Sequence, residues 1–138
     1  MKIVLDTNVL VSGLLQPFGP SGQIVRLVAS GDLVLCHDPR ILAEYQEVLH
    51  RDKFGFDPER VDILLEQIRA GGVSVAARPL PIALPDSDDE AFLEVALASG
   101  ARCLVTGNFK HYPAEARSGI EVLSPRSFIE FYRGHSGT

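Results

Sequence analysis

Tryptophan is absent from these 138 residues, methionine occurs once and cysteine twice. Two cysteines exclude a disulfide-stapled scaffold, and no ligand-spaced histidine pair stands near them to make a zinc site. Cys36 and Cys103 each lie in an apolar run, at 33–36 and 103–105, so buried free thiols are expected. No apolar run approaches the roughly 20 residues that cross a bilayer. The run that opens the chain is cut by Asp6 and Asn8, too early for an export leader. A cytoplasmic protein with no membrane contact is therefore expected. Repeats, low-complexity segments and a glycine-rich phosphate loop are all missing, and the last absence excludes a P-loop nucleotide hydrolase. An excess of basic charge is missing too, because the formal net charge is −5. That counts against a nucleic-acid binder, which is usually basic. The objection weakens if the acids gather at one site, where bound divalent cations would offset most of the charge and leave local basic residues for phosphates.

What remains is ordinary globular material. Apolar residues make up 46% and charged residues 22%, which argues against disorder. The length suits one domain with a real core. The expected division is a single domain over residues 1–133 and a flexible tail over 134–138.

The pattern alternates strands with helices. Ile3, Val4 and Leu5 form a short apolar run ended by Asp6, the signature of a buried strand. A helical turn is expected from Asn8 to Leu15, a loop over 16–22, and a helix from a Ser21 cap to Ala29. Asp38 followed by Pro39 starts a helix running to about Arg51. Another begins near Pro58 and stops at Gly71 and Gly72. Further strands are expected at 33–36, 73–77, 103–105 and 120–123. Prolines 79, 81 and 85 make residues 78–85 an extended connector. A helix is expected from Asp86 to Gly100, and a closing one from Pro125 to Tyr132. This predicts an α/β domain, a three-layer α/β/α sandwich around a mainly parallel five-stranded sheet. Ligands of such folds bind beyond the carboxyl ends of the strands, where Asp6, Thr106, Gly107 and Asn108 all fall.

Three acids stand out. Asp6 ends a strand and precedes the short polar Thr7 and Asn8; it is either a helix cap or a site residue. Glu44, at about 100° per residue, lies only about 40° from Val48 and edges the apolar stripe of its helix. Glu47 falls further round, on the solvated side. Asp89 projects into the apolar face made by Phe92, Leu93 and Ala96, whereas Glu90 and Glu94 are expected to face away. A carboxylate facing a core is costly unless it is paired or holds a metal. Asp86 is the expected helix cap beside it. Hard oxygen donors from separate elements suit Mg2+ or Mn2+ and phosphoryl chemistry.

The run Ile3-Val4-Leu5-Asp6-Thr7-Asn8-Val9 resembles the opening of PIN domains. So does Leu42-Ala43-Glu44-Tyr45 with Val48, Leu49 and Arg51 after it. The stretch from Asp86-Ser87-Asp88-Asp89-Glu90 through Ala96-Leu97-Ala98 matches as well and leads into Leu104-Val105-Thr106-Gly107-Asn108. Each block is weak alone, and the ordered set is specific. It is most similar to the VapC-like toxin branch of toxin–antitoxin systems. The resemblance implies the sandwich fold and Mg2+- or Mn2+-dependent cleavage of single-stranded or loop RNA. It also implies a homodimer and a small antitoxin protein that silences it. By position it makes Asp6, Glu44 and Asp89 the metal ligands and catalytic residues, and Asp86 an extra ligand or cap. Thr7, Asn8 and Thr106 would support them.

The chain departs from the commonest pattern at Asn108, where many members carry aspartate. An amide holds a hard cation more weakly than a carboxylate. His111 stands three residues later, where another branch places an acid. His111 is either a surface loop histidine or, with Lys110, a contact to the RNA backbone. Two rivals remain. A haloacid-dehalogenase-like phosphohydrolase needs an acid where Asn8 stands. A PIN-like binding module without catalysis would explain the missing fourth acid.

Overall fold

The computed structural model describes residues 1–136. β1 (Lys2–Leu5) is central, and its three apolar side chains are fully buried, as a strand covered on both faces requires. α1 (Thr7–Leu15) and α2 (Pro20–Ala29) connect it to β2 (Val34–His37). α3 (Pro39–Leu49) and α4 (Pro58–Gly71) lead to β3 (Val73–Ser74). α5 (Glu90–Ser99) leads to β4 (Leu104–Val105), then come β5 (Val122–Leu123) and α6 (Pro125–Ser136). The five strands lie in the order β3-β2-β1-β4-β5, and every pairing is parallel. With six helices packed around it, the sheet forms the expected α/β/α sandwich.

Asp38 caps α3 as the sequence predicts and Asp57 caps α4 in the same way, whereas α1 starts at Thr7, before Asn8, and α2 at Pro20 after Gly19, so neither Asn8 nor Ser21 is the expected cap. Asp38 accepts from the Ile41 amide at 3.0 Å and Asp57 from that of Glu59 at 3.1 Å, each followed by proline in the first turn. α5 stops at Gly100, whose φ of +67° only glycine adopts freely. Cys36 and Cys103 are buried free thiols, and burial pushes Cys103 up to about 12.

Several expectations need correction. The second strand begins at Val34 and takes in His37. The third pairs only at Val73 and Ser74, because the chain then turns into the proline-rich connector; Val75 still donates to the His37 carbonyl at 2.8 Å. The segment after Pro85 is not one α-helix. Ser87–Asp89 is a 3-10 turn, and α5 proper starts at Glu90. Asp86 tightens that turn by accepting from the Asp88 amide at 2.9 Å, while its carbonyl takes the Asp89 amide at 3.1 Å. Glu94 does not face solvent. Its residue is 7% exposed, it pairs with Arg40 at 2.7 Å, and it accepts from the Leu80 amide. Glu90 accepts from the Leu84 amide at 3.0 Å. The connector over residues 78–85 covers that side of α5 and brings amides that no strand ladder satisfies. α6 continues through residues 134–136, where the sequence predicts a tail; 137 and 138 lie outside the described residues.

Candidate metal centre

The sheet is built outward from β1 in both directions, so the crevice beyond the carboxyl ends of β1 and β4 is its switch point. Val4 and Leu5 pair with Leu104 and Val105, which brings Asp6 beside Thr106. Asp6 is 4% exposed. Its Oδ2 accepts from Thr106 Oγ1 at 3.0 Å and from the Tyr112 hydroxyl at 2.9 Å. Its carboxylate makes no capping hydrogen bond to α1, although the Thr7 and Asn8 amides lie close enough to ease its charge. Burial outweighs these donors and raises its pKa above the ordinary value.

Glu44 enters from α3. It is half-buried and accepts a hydrogen bond from Thr7 Oγ1. Burial raises its pKa, and the charges of Asp6, Asp88 and Asp86 add to that. Asp89 closes the 3-10 turn and is 8% exposed. Its pKa is pushed up to about 7, first by burial and then by Asp6, against a lowering effect of His111. Asp89 Oδ2 is sealed from solvent and has no aligned hydrogen-bond donor. His111 Nδ1 stands 2.8 Å from it, at ion-pair distance without that alignment. Donor atoms of Asp86, Asp89 and His111 all lie within 4.8 Å of one another.

Asp6, Glu44, Asp86 and Asp89 thus repel one another within one cluster. The supporting residues hold its frame. Asn8 Oδ1 accepts from the Gly107 amide at 3.0 Å, and its Nδ2 points to Thr106 Oγ1 at 3.5 Å. Asn8 is therefore a strap between α1 and the loop after β4. Thr106 Oγ1 also takes the Asn108 amide at 3.1 Å. Asn108 lines a hollow of about 320 Å3 with Asn8, Ser12 and Ser21, and Asn8 and Ser12 also line the cleft beside the acids. Lys110 is exposed beside the cluster, and His111 belongs to it.

Sequence reasoning missed Tyr112, a fully buried tyrosine in a loop, where no periodicity reveals an inward side chain. Its hydroxyl pKa is raised well above the usual range by burial and by Asp6. A cleft of about 480 Å3 runs past Glu44, Asp86, Asp88 and Asp89 and is lined also by Arg51 and Phe54. The donor set fits a hard divalent cation. It offers carboxylate oxygens from three elements, and it contains a sealed carboxylate oxygen with no hydrogen-bond partner among the described residues.

A family model described as a PIN domain matches residues 2–110. The chain is also similar to the uncharacterized protein MJ1680 of Methanocaldococcus jannaschii, whose name assigns no activity. The two are 29% identical over 141 positions, which cover 94% of this chain and 90% of that one.

Proposed function

Because the chain belongs to the PIN domain family, whose members are generally nucleases, we propose that it is an endoribonuclease dependent on Mg2+ or Mn2+. The substrate is single-stranded or loop RNA. The observation that carries this reading is the gathering of Asp6, Glu44 and Asp89 at the switch point with no arginine or lysine paired to any of them among the described residues. Buried acids left in this state suit a cation that arrives from outside.

In this reading Asp6, Glu44 and Asp89 hold the ion and Asp86 stands beside them. When bound, such an ion lowers the pKa of water and offsets charge on the phosphate under attack. The chain's own residues set the geometry. Thr106 and Tyr112 fix Asp6 through Oδ2. Thr7 holds Glu44. Arg51, which also pairs with Glu47, lines the same cleft and brings positive charge for a phosphate, and Phe54, stacked on Phe56, lines it too. Lys110 adds a basic side chain at the rim, which answers the acidic net charge locally.

The finer reading is the toxin of a toxin–antitoxin pair, acting in the cytoplasm as a homodimer and silenced by a small antitoxin protein. What supports it is the similarity of the Asp6, Glu44 and Asp86 to Asp89 blocks to the VapC-like branch. No helix among the described residues is long and apolar enough to cross a membrane.

The test is cleavage of a structured RNA with loops, with Mn2+ and with EDTA. Wild type should cut only with metal. Glu44→Gln should lose activity, because its carboxylate serves the centre. Glu47→Gln should keep it, because Glu47 is exposed and pairs with Arg51 on the helix surface. Its stability should also stay within about 0.5 kcal/mol of wild type. Absence of cleavage in every metal tried, or equal loss in both variants, would overturn the proposal.

A further inference from the structure

We infer that His111 is itself a ligand of this centre, and that with Asp86 and Asp89 it makes a mixed nitrogen–oxygen pocket that prefers Mn2+ to Mg2+. The inference rests on the metal dependence proposed above and adds a ligand and a selectivity to it.

The geometry carries it. Nδ1 of His111 and Oδ2 of Asp89 converge to 2.8 Å without the alignment of a hydrogen bond. Adjacent ligands of an octahedral ion with bonds near ~2.1 Å stand ~3 Å apart, so the two atoms already hold a spacing that one ion could bridge. Asp86 completes the group, with its Oδ1 engaged by the Asp88 amide. Asp89 is almost fully buried, and its sealed oxygen faces the imidazole.

The loop that carries His111 is anchored. Phe109–His111 is a 3-10 turn, closed by the Tyr112 amide on the Phe109 carbonyl at 3.0 Å. The buried Tyr112 ties the turn to Asp6. The His111 side chain is 38% exposed, so Nε2 can keep its proton on the solvent side while Nδ1 turns inward. The selectivity follows from donor chemistry. Imidazole nitrogen binds first-row transition ions, whereas Mg2+ keeps to oxygen and water.

The experiment is calorimetric titration of the full chain with MnCl2 and with MgCl2, together with pulsed EPR of the Mn2+-loaded protein. The variants are His111→Asp and His111→Gln, the second keeping size without adding charge. Wild type should show hyperfine coupling from one imidazole nitrogen, and both variants should lack it. The Mn2+ over Mg2+ affinity ratio should fall about tenfold in His111→Asp. Bound Mn2+ without nitrogen coupling, or an unchanged ratio, would overturn the inference and leave His111 as a counter-charge to Asp89. Nitrogen coupling in a protein that cuts no RNA would uphold the ligand and overturn the nuclease reading. No Mn2+ binding at all would overturn both.

Discussion

Asp38 and Glu94 are buried acids that meet a guanidinium; Asp6 and Asp89 are buried acids that meet none among the described residues. The first pair is 5% and 7% exposed, and Arg40 bridges them at 2.7 Å to each. Their remaining oxygens take the Ile41 and Leu80 amides. That arrangement closes within the chain and joins α3, α5 and the connector. The second group is buried as deeply and gathers three further acids with Glu44, Asp86 and Asp88 nearby; among the described residues, the ion-pair partner it meets is a histidine, His111 against Asp89. Burial of comparable depth therefore has two outcomes, set by whether the fold supplies a cation. Where it supplies one, the acid is structural. Where it does not, the acid is held ready for something the chain does not contain.

Asp89→Asn separates the two groups most sharply. RNA cleavage should fall on the order of a hundredfold, since the variant weakens the ligand set. Metal-free stability should move the other way. The Asp89 carboxyl, at about 7 in the fold against 3.8 ordinarily, keeps its proton where the unfolded chain has lost it. The folded state then binds more protons, so this group's contribution makes stability fall as pH rises from about 4 to about 7 and stay level above. In EDTA the variant should therefore match wild type near pH 4 and melt progressively higher than wild type up to pH 7. A melting difference independent of pH would break the comparison.

Arg40→Ala tests the paired side. It leaves Asp38 and Glu94 buried without their cation, which should cost about 2 kcal/mol. That lies between the cost of breaking a buried pair and that of a surface pair, because Arg40 is half-exposed. Chemical denaturation measures it. The melting shift produced by Mn2+ should be preserved, since neither acid belongs to the centre. A lost metal response would mean that the two groups are one network.

The contrast between these groups was only half visible in the sequence. Asp6 was legible because an apolar run of period-free character ends on it, and the alternation of strands with helices was enough to place it at a sheet edge. The cap at Asp38 and the stop at Gly100 are local devices, and local pattern finds them. The inward direction of Asp89 was read from a helical projection, although the residue closes a 3-10 turn; the Asp86 cap sets that turn, and the side chain still ends up buried. Glu94 was misread because what covers it is a connector far from any periodic signal. His111 stood out only as a loop histidine or an RNA contact; its place against Asp89, like that of Tyr112 against Asp6, was opaque for the same reason. They sit in a loop whose path is dictated by tertiary anchoring to Asp6 and Asp89, and no spacing along the chain encodes that.

The smallest expected effect concerns two buried tyrosines that differ only in what they touch. Tyr112 donates to Asp6 Oδ2, whereas Tyr45 donates to the Leu5 carbonyl, one residue away along the chain. Both are fully buried. Removing either hydroxyl by Tyr→Phe keeps the ring and its packing, and should cost about 1 kcal/mol. On stability alone the two variants are therefore alike. They part when metal is added. Tyr112→Phe strips one of the two side-chain donors from Asp6, so the carboxylate is held less firmly and its charged form is less favoured. Mn2+ affinity should weaken by about tenfold, which removes about 1.4 kcal/mol of the metal-induced stabilisation at saturating ion. Tyr45→Phe should keep the full wild-type shift, because the Leu5 carbonyl is no ligand. The measurement is the melting temperature of each protein in EDTA and in excess Mn2+. Equal shifts in both variants would show that Asp6 is positioned by Thr106 and the backbone alone, and that Tyr112 is a core residue whose hydroxyl happens to end on an acid.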